Sequence, residues 1–178
     1  MPRRSSLLIC AFAVVALSYN PAFSKEFFVE VSAGAEEDAE VMFSRVGVVH
    51  EGGIDWGNKI RIGKGKSPCV SVEGMNAVVV HRGHTSETED ELFYHIGVVD
   101  LTSMSVAWGP EVRYVKGDKP FVTLKGTRVI AVYQAKDKEK LFIMNGTIDV
   151  ARKQIAWGEP ALYDPKGRNP SLDLTSGP

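Results

Sequence analysis

Val106-Ala107-Trp108-Gly109, followed by Tyr114, Gly117 and Pro120-Phe121-Val122-Thr123-Leu124, is an arrangement that this chain contains three times. Ahead of it, Ile54-Asp55-Trp56-Gly57 leads to Ile62, Gly65 and Pro68-Cys69-Val70-Ser71-Val72. Beyond it, Ile155-Ala156-Trp157-Gly158 leads to Tyr163, Gly167 and Pro170-Ser171-Leu172-Asp173-Leu174. The tryptophans stand 52 and 49 residues apart. The upstream halves repeat too: Met42-Phe43-Ser44-Arg45-Val46-Gly47, Leu92-Phe93-Tyr94-His95-Ile96-Gly97 and Leu141-Phe142-Ile143-Met144-Asn145-Gly146 fall in register. A fixed period near 50 residues is the signature of a repeat architecture and outranks any local reading.

Each unit reads as four short strands. The apolar runs are four to six residues long, rich in Val, Ile, Phe and Tyr, and bounded by Gly, Pro, Asp, Lys and Ser. No window of the later chain shows a helical period. The fold class expected is therefore all-β, with three tandem four-stranded repeats spanning about 27–72, 78–124 and 129–174. The proline is expected at a strand head, where its missing N–H is harmless. The repeated indole is expected to plug the space between neighbouring units, because no other side chain buries more area. The acidic stretches 34–40 and 84–91, and their mixed-charge counterpart 135–140, are expected as exposed hairpin tips.

Residues 1–24 read as a secretory signal peptide: Arg3 and Arg4, an apolar run from Leu7 to Leu17, then Ala22-Phe23-Ser24 at a cleavage site. That run is about half the ~20 residues of a spanning helix. The expected mature domain is 25–178, with an extracytoplasmic location, secreted or periplasmic, and no membrane span. Losing Arg3 and Arg4 takes the formal charge from −1 to −3, and no basic run remains, so nucleic acid is not an expected partner. Cys69 is then the single cysteine, flanked by Pro68 and Val70, and is expected to be a buried thiol.

The order Pro-x-hydrophobic-x-hydrophobic, Val-rich strand, Leu-Phe-Tyr and Trp-Gly resembles the blades of sialidase-type β-propellers and of bacterial propeller lectins, across residues 27–174. The resemblance implies propeller-like blades and a carbohydrate ligand. Two chains of three blades would close a six-bladed ring. Three four-stranded units of this length also suit a β-trefoil. The sialidase Asp-box, Ser-x-Asp-x-Gly-x-x-Trp, is not met: Asp100 and Asp149 precede their tryptophans by eight residues where the box has five. A non-enzymatic, lectin-like protein is therefore expected first. An envelope scaffold binding an exported protein partner is the second reading, and a sialidase-like glycosidase the third.

Sugars stack their C–H faces on aromatic rings while nearby polar groups fix the hydroxyls, so repeated aromatic positions are the ligand candidates. Trp56, Trp108 and Trp157 form one set. Positions that vary between matching units add Glu30/His81/Tyr133, Arg45/His95/Met144 and Ile62/Tyr114/Tyr163. The ligand is expected near His81, Tyr133, Arg45, His95, Tyr114 and Tyr163. No catalytic set, cofactor or metal site is expected. In particular, His81 and His84 are three apart, which on a strand puts them on opposite faces.

Overall fold

The computed structural model describes residues 14–20, 25–34, 38–136, 139–167 and 169–170, with the side chains of 14–20 and of Lys25 left aside. It is all-β, built of three antiparallel sheets, and no barrel closes among the described residues. The first sheet holds β1 (Val14–Asn20), β2 (Lys25–Ala33), β3 (Val41–His50), β4 (Gly53–Trp56) and β5 (Ile60–Lys64). The second holds β6 (Lys66–Glu73), β7 (Asn76–Arg82), β8 (Glu91–Asp100), β9 (Ser105–Trp108) and β10 (Val112–Lys116). The third holds β11 (Asp118–Lys125), β12 (Arg128–Gln134), β13 (Leu141–Asp149), β14 (Gln154–Trp157) and β15 (Ala161–Asp164). The two short strands closing each sheet are halves of one broken outer strand, since both pair with the same neighbour: β4 and β5 with β3, β9 and β10 with β8, β14 and β15 with β13.

The period is the one expected, but its phase differs. Pro68 and Pro120 lie in the first strand of a sheet rather than in the last strand of the preceding one. Two-residue turns decide this: Gly74-Met75 folds β6 onto β7 and Gly126-Thr127 folds β11 onto β12, with Gly74 and Gly126 at φ 57° and 58°. Such tight hairpins need a left-handed residue, which glycine adopts without steric cost. The prolines sit inside register shifts, between Lys66 and Cys69 and between Asp118 and Phe121, where a bulge removes the need for an N–H. Ser67, Lys119 and Asn169, each just before a proline, share φ near 50° (52°, 48° and 53°). The three proline segments line a cavity of about 300 Å³. Pro170 thus repeats the local backbone of Pro68 and Pro120, while Ser171–Leu174, read as a strand from the sequence, lies outside the described residues. At the other end, Val14–Asn20, within the segment read as a leader, pairs with β2 from Asn20↔Lys25 to Val14↔Val31.

The core forms between sheets. Phe27, Val29, Val31, Val46 and Val48 of the first sheet meet Val70, Val72, Ala77, Val79, Val99 and Val106 of the second. The second sheet's opposite face, with Cys69, Val78, Val80, Tyr94 and Ile96, meets Val122, Leu124, Val129, Ile148 and Ile155 of the third. This explains the unbroken run Ala77-Val78-Val79-Val80: a strand covered on both faces does not alternate. Trp108 reaches back to the first sheet, where its indole N–H donates to Ser44 Oγ at 2.8 Å. Trp157 reaches back to the second, its ring 5.0 Å from that of Tyr114 and 6.2 Å from that of Tyr94. Polar ties accompany the packing: Ile155 N–H donates to the Tyr94 hydroxyl at 3.0 Å, and Leu124 N–H to Ser71 Oγ at 3.0 Å. The stretches read as exposed tips do connect β2 to β3, β7 to β8 and β12 to β13, with residues 35–37 and 137–138 outside the described set.

Two outcomes follow from this packing. Trp108→Ala is expected to lower unfolding free energy by about 3 kcal/mol, the usual scale for an indole lost from a packed boundary. Trp56→Ala, at a position with no sheet on its outer side, should cost less than half of that; equal losses in chemical denaturation would contradict the inter-sheet role. The Cys69 thiol is pushed up to about 11, chiefly by burial. It should resist a thiol reagent at pH 8 in native protein and react at once in denaturant; rapid native labelling would refute its burial.

Candidate functional site

Ladder register makes the repeats comparable residue by residue. His81 pairs with Phe93 and Tyr133 with Phe142, so these two are equivalent, and their counterpart in the first sheet is Ser32, paired with Phe43. The grouping of Glu30 with His81 and Tyr133 is thereby corrected by two residues: Glu30 pairs with Arg45, as Val79 does with His95 and Ala131 with Met144. An unbroken apolar strand offers no landmark along its length, and only the pairing supplies one. Ile62, Tyr114 and Tyr163 are equivalent, all three lying in the register shift of the broken outer strand. A bulge re-aims a side chain, and here it turns Tyr114 onto Trp157 of the following sheet.

The nine candidate residues separate into three groups. Trp108, Trp157, Tyr114 and Tyr133 are packing residues. The Tyr114 hydroxyl is buried with no hydrogen-bond partner, and burial raises its pKa far above the usual phenol. Tyr133 stacks on Phe142 at 5.8 Å, and burial pushes its phenol up to about 12.

The second group is turned outward. Trp56 is 39% exposed and Tyr163 58% exposed. The Arg45 guanidinium carbon lies 3.6 Å from the centre of the Trp56 ring, and the same guanidinium pairs with Glu30 at 2.6 Å. Phe28 supports the indole from behind, edge-on at 4.9 Å. An exposed indole and a partly exposed guanidinium therefore meet on the face of the first sheet turned away from the second, with the guanidinium anchored by the buried Glu30 carboxylate.

The third group lies at the boundary between the first and second sheets. His81 and His95 are both buried and stacked on one another, ring centres 5.4 Å apart. His81 Nδ1 lies 3.1 Å from the carbonyl oxygen of Arg82, and His95 Nδ1 lies 3.1 Å from that of Gly109. Since a carbonyl only accepts, each Nδ1 carries a proton, and in the neutral ring the lone pair is on Nε2. Burial, outweighing the bond to Gly109, lowers the pKa of His95. Facing both is Glu111, between β9 and β10, with its Oε2 3.4 Å from His81 Nε2 and 3.8 Å from His95 Nε2. Its acidity is strengthened chiefly by the polar contact with His81 and also by the charges of His81, His95 and His84, against the opposing effect of burial.

The sequence had singled out His81 and His95 separately, as variable positions; the fold brings them together. Glu111 escaped notice. It follows Gly109-Pro110 in a loop, and the spacing 81, 95, 111 matches no motif. His84, considered with His81 for its spacing, lies in the turn after β7 and is not one of the converging ligands. No family model matches this chain, and no curated protein matches it in sequence.

Proposed function

We propose that the protein is an exported, non-enzymatic carbohydrate-binding protein whose three sheets are blades of propeller type. The observation that carries this reading is the exposed Trp56 beside the Arg45–Glu30 pair. A pyranose offers an apolar C–H face for packing on an aromatic ring and hydroxyls for a cationic donor, and this patch supplies an exposed indole and a partly exposed guanidinium, held in place by the buried Glu30 carboxylate. Tyr163 at the opposite end of the array adds a second exposed aromatic surface. Two weak sites on one chain, or more in an assembly, gain avidity on a multivalent glycan.

A second reading rests on a different observation. Ile54, Val106 and Ile155 are equivalent, and Val106 and Ile155 are 4% and 7% exposed beneath a neighbouring sheet, whereas Ile54 is 42% exposed. Likewise, Trp157 stacks on the bulge residue Tyr114, while Trp56 has no preceding bulge residue to pack on and Tyr163 has no following tryptophan. A second copy docked head to tail would place Trp56 of one chain on Tyr163 of the other, extending the boundary already present twice within the chain.

A glycan-array screen of the secreted protein tests the first reading. We expect a hit competed by free sugar and weakened at least tenfold by Trp56→Ala or by Arg45→Ala. A blank array from folded protein overturns it. Mass in solution then tests the second reading: twice the chain mass, reduced to one chain by Trp56→Ala, supports the head-to-tail pair, and a monomer refutes it.

A further inference from the structure

The pair of histidines at the boundary between the first two sheets is not required by packing there. The third sheet fills the same two positions with Tyr133 and Met144, and the first with Ser32 and Arg45, within the same ladder geometry. Imidazoles occur at this boundary alone. Gly65, between β5 and β6, passes so close that a Cβ there would stand 2.3 Å from His81 Nδ1, as a Cβ on the equivalent Gly117 would stand 2.6 Å from Tyr133, and Gly63 lies beside His95 Nε2 and Glu111 Oε2.

Within it, His81 Nε2 and His95 Nε2 are buried and neither has a hydrogen bond of good geometry. With both Nδ1 protons committed to backbone carbonyls, two lone pairs and a carboxylate oxygen converge within 4.8 Å of one another. Two buried imidazole nitrogens facing a carboxylate that reaches solvent form a donor set in which a cation matches the polar groups left unmet by burial. The backbone bonds are the outer-shell contacts that fix tautomer and ring orientation in a metal-ligating histidine. We propose that His81 Nε2, His95 Nε2 and the Glu111 carboxylate bind one divalent transition-metal ion of the zinc class, leaving a coordination position open toward solvent.

The donor set favours that class. Imidazole nitrogen suits Zn²⁺, Cu²⁺, Ni²⁺ and Fe²⁺, whereas Ca²⁺ and Mg²⁺ select oxygen. Ligand bonds of about 2.0–2.2 Å place two donors on a tetrahedral ion about 3.3 Å apart, close to the 3.4 Å and 3.8 Å separations to Glu111. Glu111 is the mobile member, 42% exposed at its side chain on a short loop, whereas the imidazoles are held by burial and stacking. The open position faces the solvent side with Glu111, so water or a polar ligand group can complete the sphere.

The test uses the full chain after chelator treatment. Titration with Co²⁺ is expected to saturate at one equivalent with visible ligand-field bands, and Zn²⁺ should displace it while Ca²⁺ and Mg²⁺ do not. His81→Tyr and His95→Met install the third sheet's own residues and should each weaken binding by more than the 10–100-fold typical of outer-shell changes. Glu111→Gln, on an exposed side chain that carries no fold risk, should weaken binding and alter the Co²⁺ spectrum. Failure of folded wild-type protein to bind Co²⁺ or Zn²⁺ stoichiometrically overturns the proposal. So does a site whose affinity survives Glu111→Gln together with either histidine variant.

Discussion

The indole that each outer strand lays against the preceding sheet is the contact on which this structure depends. A single antiparallel sheet with one apolar face cannot exist alone in water, and among the described residues no helix covers any of the three sheets. Trp108 closes the first boundary and Trp157 the second, each with a β-branched residue two positions earlier, Val106 or Ile155, driven beneath the neighbouring sheet. The close approach leaves no room at Gly97 and Gly146, where a Cβ would meet the Trp108 and Trp157 rings at 2.7 and 2.8 Å. The glycine opposite each tryptophan is therefore a packing requirement of the boundary.

An array of this kind has two ends, and the ends carry its exceptions. On the face of the first sheet turned away from the second, Glu30 and Arg45 form an ion pair where the second sheet has Val79 and His95. On the face of the third sheet turned away from the second, Asn145 and Thr147 are exposed where the second sheet has Ile96 and Val98. Polar replacement on terminal faces is the general solution for stacked repeats, because a fully apolar end would associate without limit. What remains apolar at the ends, Trp56, Ile54, Leu162 and Tyr163, is a restricted set within a polar surround. The same constraint that stabilises the interior thus leaves these exposed apolar side chains on the first and third sheets.

The histidine–glutamate cluster departs from the repeat in another way. Its buried imidazoles stand where the other sheets carry Tyr133 and Met144 or Ser32 and Arg45, and each imidazole brings a group whose burial is unfavourable unless matched. The match is partial inside the protein: Nδ1 is satisfied by backbone and Nε2 is not. Structural histidines normally find partners at both nitrogens or at solvent. Here two leave the same nitrogen unmet, toward the same carboxylate, which is the observation behind the proposed cation site.

The sequence by itself determined the all-β class, the period and the members of the outer strands, because period and composition are local properties that a three-fold internal copy makes visible. It determined that Cys69 is buried and that 34–40, 84–91 and 135–140 are connections. It did not determine the phase of the repeat: a period has no origin, and two-residue turns at Gly74 and Gly126, not the tryptophans, decide which strands share a sheet. Nor did it determine the register of Glu30, since runs of Val slide past one another until ladders fix them. The roles of the aromatic candidates were likewise beyond it. Tyr114 and Tyr163 are equivalent in sequence, yet one is stacked on Trp157 and the other is exposed, because among the described residues only the first has a following sheet. Glu111 joins His81 and His95 solely through the antiparallel return of β8 and the loop after β9, which brings residues 81, 95 and 111 within one ligand sphere.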